Sequence, residues 1–267
     1  MIKIFDKLVF GQNEDKLKKL TIKEVIYDFE NKKNKNLFFL IEKRFEWMKR
    51  FINENEKGLE VGAGAGFSKV ILNSYKIDTC DYSTDDHLDF KDVDAMNTKF
   101  EKNSYDYVIA SNMMHHVSYP VKFINEMNRI LKKNGKLIIF EPNLSIIYQL
   151  ITLITKHEGF DFNYNIWEST QPMNKPDDLW DSNQAAAHLL FDNKERFSKN
   201  TNNIFEIIHD EYSEFLIFIN SGGIYSKSKY IPLNYLFLRF FWLLDKILTK
   251  VFPNIFALGR QIVLKKN

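Results

Sequence analysis

A glycine-rich segment, Glu60-Val-Gly-Ala-Gly-Ala-Gly66, restricts the fold of this chain more than any other feature of its sequence. The short apolar run 58–61 leads into it, and the helix-compatible run 68–74 follows it. Glycines between a strand and a helix allow positive φ angles and a close approach of the backbone to a ligand. Such a turn is the place where doubly wound α/β sheets bind nucleotide-like ligands.

Short apolar strands and helical segments alternate around this turn. The alternation predicts βαβ units, and therefore an α/β fold with a Rossmann-like, doubly wound, mainly parallel sheet. Gly135 is expected to stop the helix that ends at 131. The predicted strands are 58–61, 76–80, a weak 91–93, 105–110, 136–141, 204–212 and 260–265, and the predicted helices are 36–54, 68–74, 121–131, 144–156 and 183–199, the last capped by Asn183.

The chemistry of the turn separates two kinds of ligand. The dinucleotide fingerprint needs a third glycine at the position that Phe67 occupies here. The acidic Glu60 at the end of the first strand disfavours a pyrophosphate and suits a cation. S-adenosylmethionine carries an ammonium and a sulfonium group and no phosphate, so the residues favour this ligand over a dinucleotide.

Five motifs in order resemble those of class I S-adenosylmethionine-dependent methyltransferases. They are the glycine turn, Asp81 after the second strand, Asp94-Ala95, the segment 104–116, and the helix and turn 125–135. The resemblance implies the class I methyltransferase fold with S-adenosyl-L-methionine as cofactor, and it places Asp81 on the ribose hydroxyls. The residues that it assigns to the cofactor are Glu60, Gly62, Ala63, Gly64, Gly66, Asp81, Tyr82, Asp94, Ala95, Ser111, Asn112 and His116.

The second half of the chain resembles methyltransferases of bacterial surface-polysaccharide and lipopolysaccharide biosynthesis. The similar stretches are 157–161, 181–185, 191–197 and 221–223. Within it, 157–188 follows the fifth strand, whose carboxyl end is expected to face the cofactor. Aromatic rings stack on sugar faces, and carboxylates and imidazoles bind hydroxyl groups. The alternative role for each tryptophan is to hold a long loop against the domain. The predicted substrate residues are Asp161, Trp167, Trp180 and His188.

Methyl transfer to a hydroxyl group benefits from a general base, and histidine has a suitable pKa. His157 is the first candidate, with Glu158 to orient it, and His116 is the second. His188 lies in a predicted helix, where a histidine is more often part of the core. His157, Glu158 and Asp161 are also capable of binding a metal, but such groups more often form hydrogen bonds, and we expect no metal.

The predicted domain organisation is an N-terminal extension at 1–35 and a methyltransferase domain at 36–267. The domain contains a substrate lid at 143–200 and an apolar insertion at 213–255. Residues 233–267 carry six basic residues and one acidic residue, a local charge of +5. Residues 233–255 are therefore expected to form a peripheral membrane contact or a homodimer interface, or a helix buried against the domain.

Composition excludes several classes of function. A net charge of +2 over 267 residues does not support a nucleic-acid partner. The single cysteine, Cys80, forms neither an internal disulfide nor a cysteine zinc site. The segment Met1 to Phe10 has no continuous apolar stretch of signal-peptide length. We expect a cytoplasmic protein, with peripheral contact at the inner membrane face as the alternative.

The leading functional hypothesis is O-methylation of a cell-surface saccharide or its precursor, so that the partner is a small-molecule or glycan acceptor. A lipid or quinone-like acceptor is the first alternative, favoured by the apolar insertion and opposed by the polar lid. A catalytically inert partner subunit that still binds the cofactor is the second.

Overall fold

The computed structural model describes residues 1–10, 20–156, 158–168, 170–176, 178, 180–225 and 228–267. Short 3₁₀ turns at Trp47–Arg50 and Met114–His116 accompany the regular elements. The regular elements are β1 (Lys7–Leu8), α1 (Ile22–Glu30), α2 (Lys35–Glu46), β2 (Lys57–Val61), α3 (Phe67–Ile71), β3 (Lys76–Cys80), β4 (Tyr105–Ser111), α4 (Pro120–Ile130), β5 (Leu131–Pro142), α5 (Ile146–Thr155), β6 (Phe160–Asp161), α6 (Ala186–Phe191), α7 (Lys194–Asn200), β7 (Phe205–Ser213), α8 (Leu216–Ile219), α9 (Tyr235–Val251), α10 (Pro253–Phe256) and β8 (Gly259–Lys266).

A six-stranded sheet of order β3-β2-β4-β5-β8-β7 forms the centre of the fold. The strands β3, β2, β4 and β5 are parallel. β8 runs antiparallel to β5 and to β7. The predicted fold class, a Rossmann-like and mainly parallel α/β sheet, is confirmed.

Helices cover both faces of this sheet, because alternate residues of each strand point to opposite faces. Val108 and Ala110 of β4 pack in a cluster with residues of α4 and α6. Tyr107 and Ile109 pack in a second cluster with residues of α1 and α2. The central strands are therefore apolar on both faces, as their sequences indicate.

The N-terminal residues pack against the domain at two places. Thr21 and Glu24 form a capping box that starts α1, whose Val25 and Phe29 are buried in the cluster with α2 and α3. β1 pairs antiparallel with β6, which lies within the lid (143–200). The segment predicted as a polar extension thus contributes to the core and to the lid.

Two predicted elements are wrong. The described residues 91–93 do not form the predicted weak strand. Asp92 has a φ of 52°, which is not an extended conformation, and pairing in this region is limited to one bridge between Cys80 and Phe90. The predicted helix 183–199 is two helices, α6 and α7, and Asn183 does not cap either. Asn193 caps α7 by accepting the Arg196 N–H (2.8 Å).

The turn before the fifth strand also differs in its details. α4 ends at Ile130, and β5 is continuous from Leu131. The left-handed residue is Asn134, with a φ of 61°, rather than Gly135. A Cβ at Gly135 would lie 2.8 Å from the Lys132 carbonyl oxygen, so glycine is needed there for close packing and not as a helix stop.

Arg260 of β8 joins the sheet to the lid. Its side chain is 2% exposed and lies 2.9 Å from Asp210 of β7 and 2.6 Å from Asp192, which follows α6. Asp192 in turn accepts a hydrogen bond from His188. A buried cation between two carboxylates is stable only while both partners are present.

Replacement of Arg260 by methionine is expected to lower the free energy of unfolding by about 3–5 kcal/mol, because two carboxylates would lose their buried partner. Urea unfolding followed by circular dichroism measures the change. Lys194→Met is the matched control, because Lys194 also pairs with Asp210 but is 61% exposed. The control should stay within about 0.5 kcal/mol of the wild type. Equal losses in both variants would contradict the assigned role of Arg260.

Candidate functional site

The glycine turn between β2 and α3 has the backbone that its sequence predicts. Gly62, Gly64 and Gly66 have φ angles of 64°, 51° and 66°. These angles favour glycine, because a Cβ would be strained in this region. A Cβ at Gly62 would also lie 2.7 Å from the Met113 side chain. The turn is therefore a bare backbone surface at the carboxyl end of the sheet.

Asp81 lies directly beside this turn. The Gly64 N–H donates to its Oδ2 (2.8 Å), and the Ser83 N–H donates to its Oδ1 (3.0 Å). The carboxylate follows β3, at the same edge of the sheet as the glycines. Tyr82, the next residue, is 52% exposed. The structure thus brings Asp81 and the glycine turn together, as the assignment of a ribose site requires.

Glu60 lies behind the turn and is buried. The Ser68 hydroxyl donates to its carboxylate. Burial raises the pKa of Glu60 to about 8, the hydrogen bond from Ser68 lowers it, and the charge of Asp81 raises it further. A cation nearby would favour the ionised form of this carboxyl group. Without such a cation, Glu60 is therefore largely protonated at neutral pH.

The remaining predicted cofactor residues line the same edge. The Val93 N–H donates to the Asp81 carbonyl oxygen (2.9 Å), which places Asp94 close to the end of β3. Asp94 accepts the Met96 N–H (2.8 Å). Asn112 follows β4 with a φ of 52°, and its N–H donates to the Phe140 carbonyl oxygen (2.7 Å). Ala63 and Ala95 are buried and half-buried, respectively, and Ser111 is half-buried.

Glu141, at the end of β5, organises the second part of the site. Its Oε1 accepts the N–H groups of Met113 (3.1 Å) and Met114 (2.8 Å). Its Oε2 lies 2.5 Å from His115 Nδ1. The other ring nitrogen of His115 lies 3.5 Å from Glu158. The buried imidazole is thus held between two carboxylates.

Opposing effects set the charge of this imidazole. Burial lowers the pKa of His115, but the charge and hydrogen bond of Glu141, together with those of Glu158, outweigh burial and raise the pKa to about 10. His115 is therefore protonated at neutral pH. The positive ring offsets the negative charge of the two carboxylates.

His116 has the opposite protonation state. Burial and the positive charge of His115 lower its pKa to about 4, although Glu158 raises it. Its Nδ1 lies 3.2 Å from the Asp181 carbonyl oxygen, so Nδ1 carries the proton and donates it to that oxygen. Its Nε2 keeps a lone pair and lies 4.0 Å from Glu158. A neutral imidazole nitrogen with a neighbouring carboxylate is able to accept a proton.

The histidines and Glu158 also have the donor types of a metal site. Within the described residues, His115, His116 and Glu158 place ligand atoms within 4.8 Å of one another. Of the three residues predicted to be metal-capable, this cluster contains Glu158. Asp161 instead lies 2.5 Å from Lys7, and His157 lies outside the described residues. The expected absence of a metal stays a prediction.

His188 has a structural role. The Leu144 N–H donates to its Nε2 (3.0 Å), so its Nδ1 carries a proton and donates to Asp192 (3.1 Å). Burial lowers the pKa of His188. Both ring nitrogens are occupied by protein groups, so instead of contacting substrate His188 joins α6 to the segment between β5 and α5.

The two predicted tryptophans are in different places. Trp167 is half-buried against the core and contacts the Phe197 ring, with 6.2 Å between centroids. Trp180 is 57% exposed and meets the edge of Tyr225 at 5.9 Å. Trp167 thus stabilises the lid. Trp180 lies near the glycine turn, because the ring that it contacts, Tyr225, lies beside that turn.

Sequence reasoning missed three residues of the site. Glu141 is at the carboxyl end of a predicted strand, and this position alone could have marked it. His115 gains its role from contacts with residues that are distant in sequence. No motif in the sequence marks Tyr225 as a site residue. In the structure its hydroxyl group lies beside the glycine turn, because a Cβ at Gly64 would be 2.9 Å from the hydroxyl oxygen. Burial, and then the charge of Asp81, raise the pKa of Tyr225 to about 12, so the phenol is neutral beside the turn.

Comparisons with known proteins agree with this geometry. Residues 59–139 match the family described as Methyltransferase domain. The matched segment runs from Leu59 in β2 to Ile139 in β5. S-adenosylmethionine, the predicted cofactor, is supported by this match.

Individual relatives cover only parts of the chain. A highly reducing polyketide synthase of Calcarisporium arbuscula is 37% identical over 67 residues, which are 25% of this chain and 3% of the synthase. A demethylmenaquinone methyltransferase of Staphylococcus haemolyticus is 36% identical over 66 residues, which are 24% of this chain and 28% of that enzyme. The chain thus spans less than two thirds of the length of these relatives.

A solved structure extends the similarity to the whole fold. The crystal structure of a SAM-dependent methyltransferase from Archaeoglobus fulgidus has a TM-score of 0.52 and 13% sequence identity, and the match covers 90% of this chain and 99% of that one. At this identity the comparison supports the fold. The resemblance to polysaccharide enzymes in the second half of the chain stays a prediction.

Replacement of Asp81 by alanine is expected to weaken binding of S-adenosylmethionine by about 1–3 kcal/mol, roughly 5- to 150-fold, because a charged acceptor beside the turn is lost. Isothermal titration calorimetry measures the affinity. Asp86→Ala is the matched control, because its carboxylate is 93% exposed and pairs with Lys91. Unchanged affinity in the Asp81 variant would contradict the ribose assignment.

The stability of the protein should fall between pH 7 and pH 10. Folding raises the pKa of His115 from its ordinary value of 6.5 to about 10, so the folded state binds this proton more tightly. The stabilisation is complete below about pH 6.5 and is lost as the pH rises through about 10. Urea unfolding at several pH values should show a flatter dependence for His115→Asn than for the wild type. His209→Asn, outside the site, should keep the wild-type slope, and a shared slope in all three proteins would refute the assignment.

Proposed function

We propose that this protein is an S-adenosylmethionine-dependent methyltransferase that methylates a hydroxyl group of a saccharide or saccharide precursor of the cell surface. The observation that carries the proposal is the juxtaposition of two parts at one edge of the sheet. One is the glycine turn with Asp81 and Glu60, and the other is the pair His116 and Glu158.

The first part fits the cofactor. The positive φ angles of Gly62 and Gly64 shape a turn whose backbone is able to contact a ligand closely. The carboxylate of Asp81 is able to accept hydrogen bonds from two vicinal hydroxyl groups, and the buried Glu60 suits a cation. When bound, S-adenosylmethionine supplies a methyl group that its sulfonium activates for transfer.

The second part fits an acceptor that loses a proton. His116 Nε2 accepts the hydroxyl proton, because its Nδ1 already donates to the Asp181 carbonyl oxygen. Glu158, 4.0 Å away, stabilises the imidazolium that forms. Gln184 donates to Glu158 (2.5 Å) and holds this carboxylate in place. His115 stays protonated, and its positive charge offsets the negative charge of Glu158.

The polar lining favours a saccharide hydroxyl as the acceptor. Three polar groups of the lid contact this part of the site: the Asn174 amide donates to the His115 carbonyl oxygen, the Asp181 carbonyl oxygen accepts from His116, and Gln184 donates to Glu158. Such groups bind hydroxyl groups better than they bind a hydrocarbon.

A lipid or quinone-like acceptor is the second candidate. It is favoured by the similarity of 66 residues to a demethylmenaquinone methyltransferase and by the exposed apolar residues of α9. The similarity does not extend over the whole of that enzyme, and it carries no information on the lid of this chain.

The test measures binding and transfer separately. Calorimetry gives the affinity of the full chain for S-adenosylmethionine, and radiolabelled methyl transfer is followed into a crude polysaccharide fraction and a crude lipid extract. The wild type should bind the cofactor and label the polysaccharide fraction. His116→Gln should still bind the cofactor and should lose about 10²- to 10⁴-fold in turnover, the usual contribution of a general base.

His209→Gln is the matched control, because His209 lies on β7 and stacks against Trp47 outside the site. It should keep wild-type turnover. Labelling, in the lipid extract, of a product that contains no saccharide would support the second candidate. Cofactor binding without transfer to either fraction would support an inert partner subunit and overturn the proposal.

A further inference from the structure

Helix α9 exposes a stripe of apolar side chains, although two of its polar residues are buried. Asp245 and Thr249 are buried on its inner side, together with Leu238. An outward stripe at spacings of three and four residues is between 53% and 73% exposed. The stripe consists of Leu236, Phe240, Leu243, Ile247 and Val251. In an ordinary surface helix the apolar stripe faces the core. An exposed stripe therefore indicates contact with something outside the chain.

The contacts of the inner side fix this orientation. Asp245 accepts the N–H groups of Phe215 (3.2 Å), Leu216 (2.8 Å) and Ile217 (3.2 Å) at the start of α8. Leu238 packs in a cluster with Ile217 and residues of α2. Rotation of α9 to bury the stripe would break three hydrogen bonds to a buried carboxylate. The stripe is thus held outwards by the fold.

A second helix adds to the same surface. Leu150, Leu153 and Ile154 of α5 are 41%, 38% and 79% exposed. α5 and α9 both pack against the short helix α10. We call the exposed side chains of these two helices the apolar face, which comprises Leu150, Leu153, Ile154, Leu236, Phe240, Leu243, Ile247 and Val251.

The register of the sheet places this face near the site. Pro142 at the end of β5 pairs with Gly259, and Gly259 pairs with Ser213 at the end of β7. The segment from 214 to 258 therefore leaves and rejoins the sheet at the edge where Glu141 lies. α5 follows β5 at this edge as well. Both helices of the apolar face are therefore connected to the sheet at the edge that carries Glu141.

Charge indicates what covers the face. Arg239, Lys246 and Lys250 are exposed on α9, and its acidic residue, Asp245, is buried. Two copies of the chain joined through this helix would bring like charges together, which disfavours a homodimer. Basic and apolar side chains on one helix instead match an anionic lipid surface.

Part of the local charge is not free for this role. Arg260 is held by Asp192 and Asp210, and Lys266 Nζ donates to the carbonyl oxygens of Asn128 and Leu131 (both 2.6 Å). Lys265 is half-buried near the far end of β8, so the attraction comes from the three cations of α9. No helix among the described ranges has the length and apolarity needed to cross a bilayer. The contact would be peripheral.

We propose that the apolar face docks this protein on an anionic membrane surface and that the acceptor is carried on a lipid of that membrane. The docking rests on the geometry of α9 and α5 alone, whereas the lipid-carried acceptor rests on the proposed methyltransferase function. A saccharide attached to a membrane lipid would then reach His116 and Glu158 while its lipid stays in the bilayer.

The experiment is co-sedimentation of the full chain with large unilamellar vesicles. One set contains phosphatidylcholine alone, and the other contains phosphatidylcholine with phosphatidylglycerol. The wild type should bind the anionic vesicles at least about ten-fold more tightly than the neutral ones. The double variant Phe240→Asp, Ile247→Asp should lose at least about ten-fold in binding to the anionic vesicles.

Tyr27→Asp is the matched control, because Tyr27 is 57% exposed on α1, away from the apolar face. It should bind vesicles as the wild type does. Lys246→Gln with Lys250→Gln should weaken binding to the anionic vesicles and leave binding to the neutral ones unchanged. Cofactor affinity measured on every variant shows that each is folded and separates a failure of docking from a failure of the proposed function.

Two results would overturn the proposal. One is equal vesicle binding by the wild type and the Phe240→Asp, Ile247→Asp variant, or no binding by either. The other is a dimer in analytical ultracentrifugation that this double variant abolishes, with no binding of the wild type to vesicles. The second result would assign the apolar face to contact between two copies of the chain.

Discussion

The carboxylate of Glu141 holds the sheet, the loop after β4 and the lid together. It receives the backbone N–H groups of Met113 and Met114 and the ring of His115, while the His115 carbonyl oxygen receives the N–H of Asn183 and the amide of Asn174 from the lid. A buried carboxylate with three donors is stable where an unpaired one is not. The positions of His116 and Glu158 depend on this arrangement, because both lie against His115.

Local features of the fold and of the cofactor side were predictable from the sequence. The glycine turn is defined by consecutive residues, and its φ angles follow from the lack of side chains at Gly62 and Gly64. The buried strands β4 and β5 are continuous apolar runs of the kind that parallel sheets require. Asp81 ends a strand, and strands that end at one edge bring their last residues together. Each of these inferences depends on neighbours in sequence or on simple sheet geometry.

The acceptor side was less predictable, because it depends on contacts between distant residues. His115 meets Glu158 only after the lid has folded against the loop after β4. His188 looked like a substrate residue, but a backbone N–H from Leu144 occupies its ring nitrogen. The outward stripe of α9 could not be predicted from its periodicity, since an amphipathic pattern does not say which side meets the core. The buried Asp245 reverses the usual arrangement by accepting three N–H groups from α8.

The order of the strands has a consequence for the synthesis of the chain. β8 lies between β5 and β7, although it follows both in sequence. While a ribosome is still producing the segment after β7, the edge of β5 has no neighbour on that side and β7 has no place in the sheet. An unpaired apolar edge of this kind is prone to aggregation. The sheet can therefore be completed only after β8 has been synthesised and has inserted between β5 and β7.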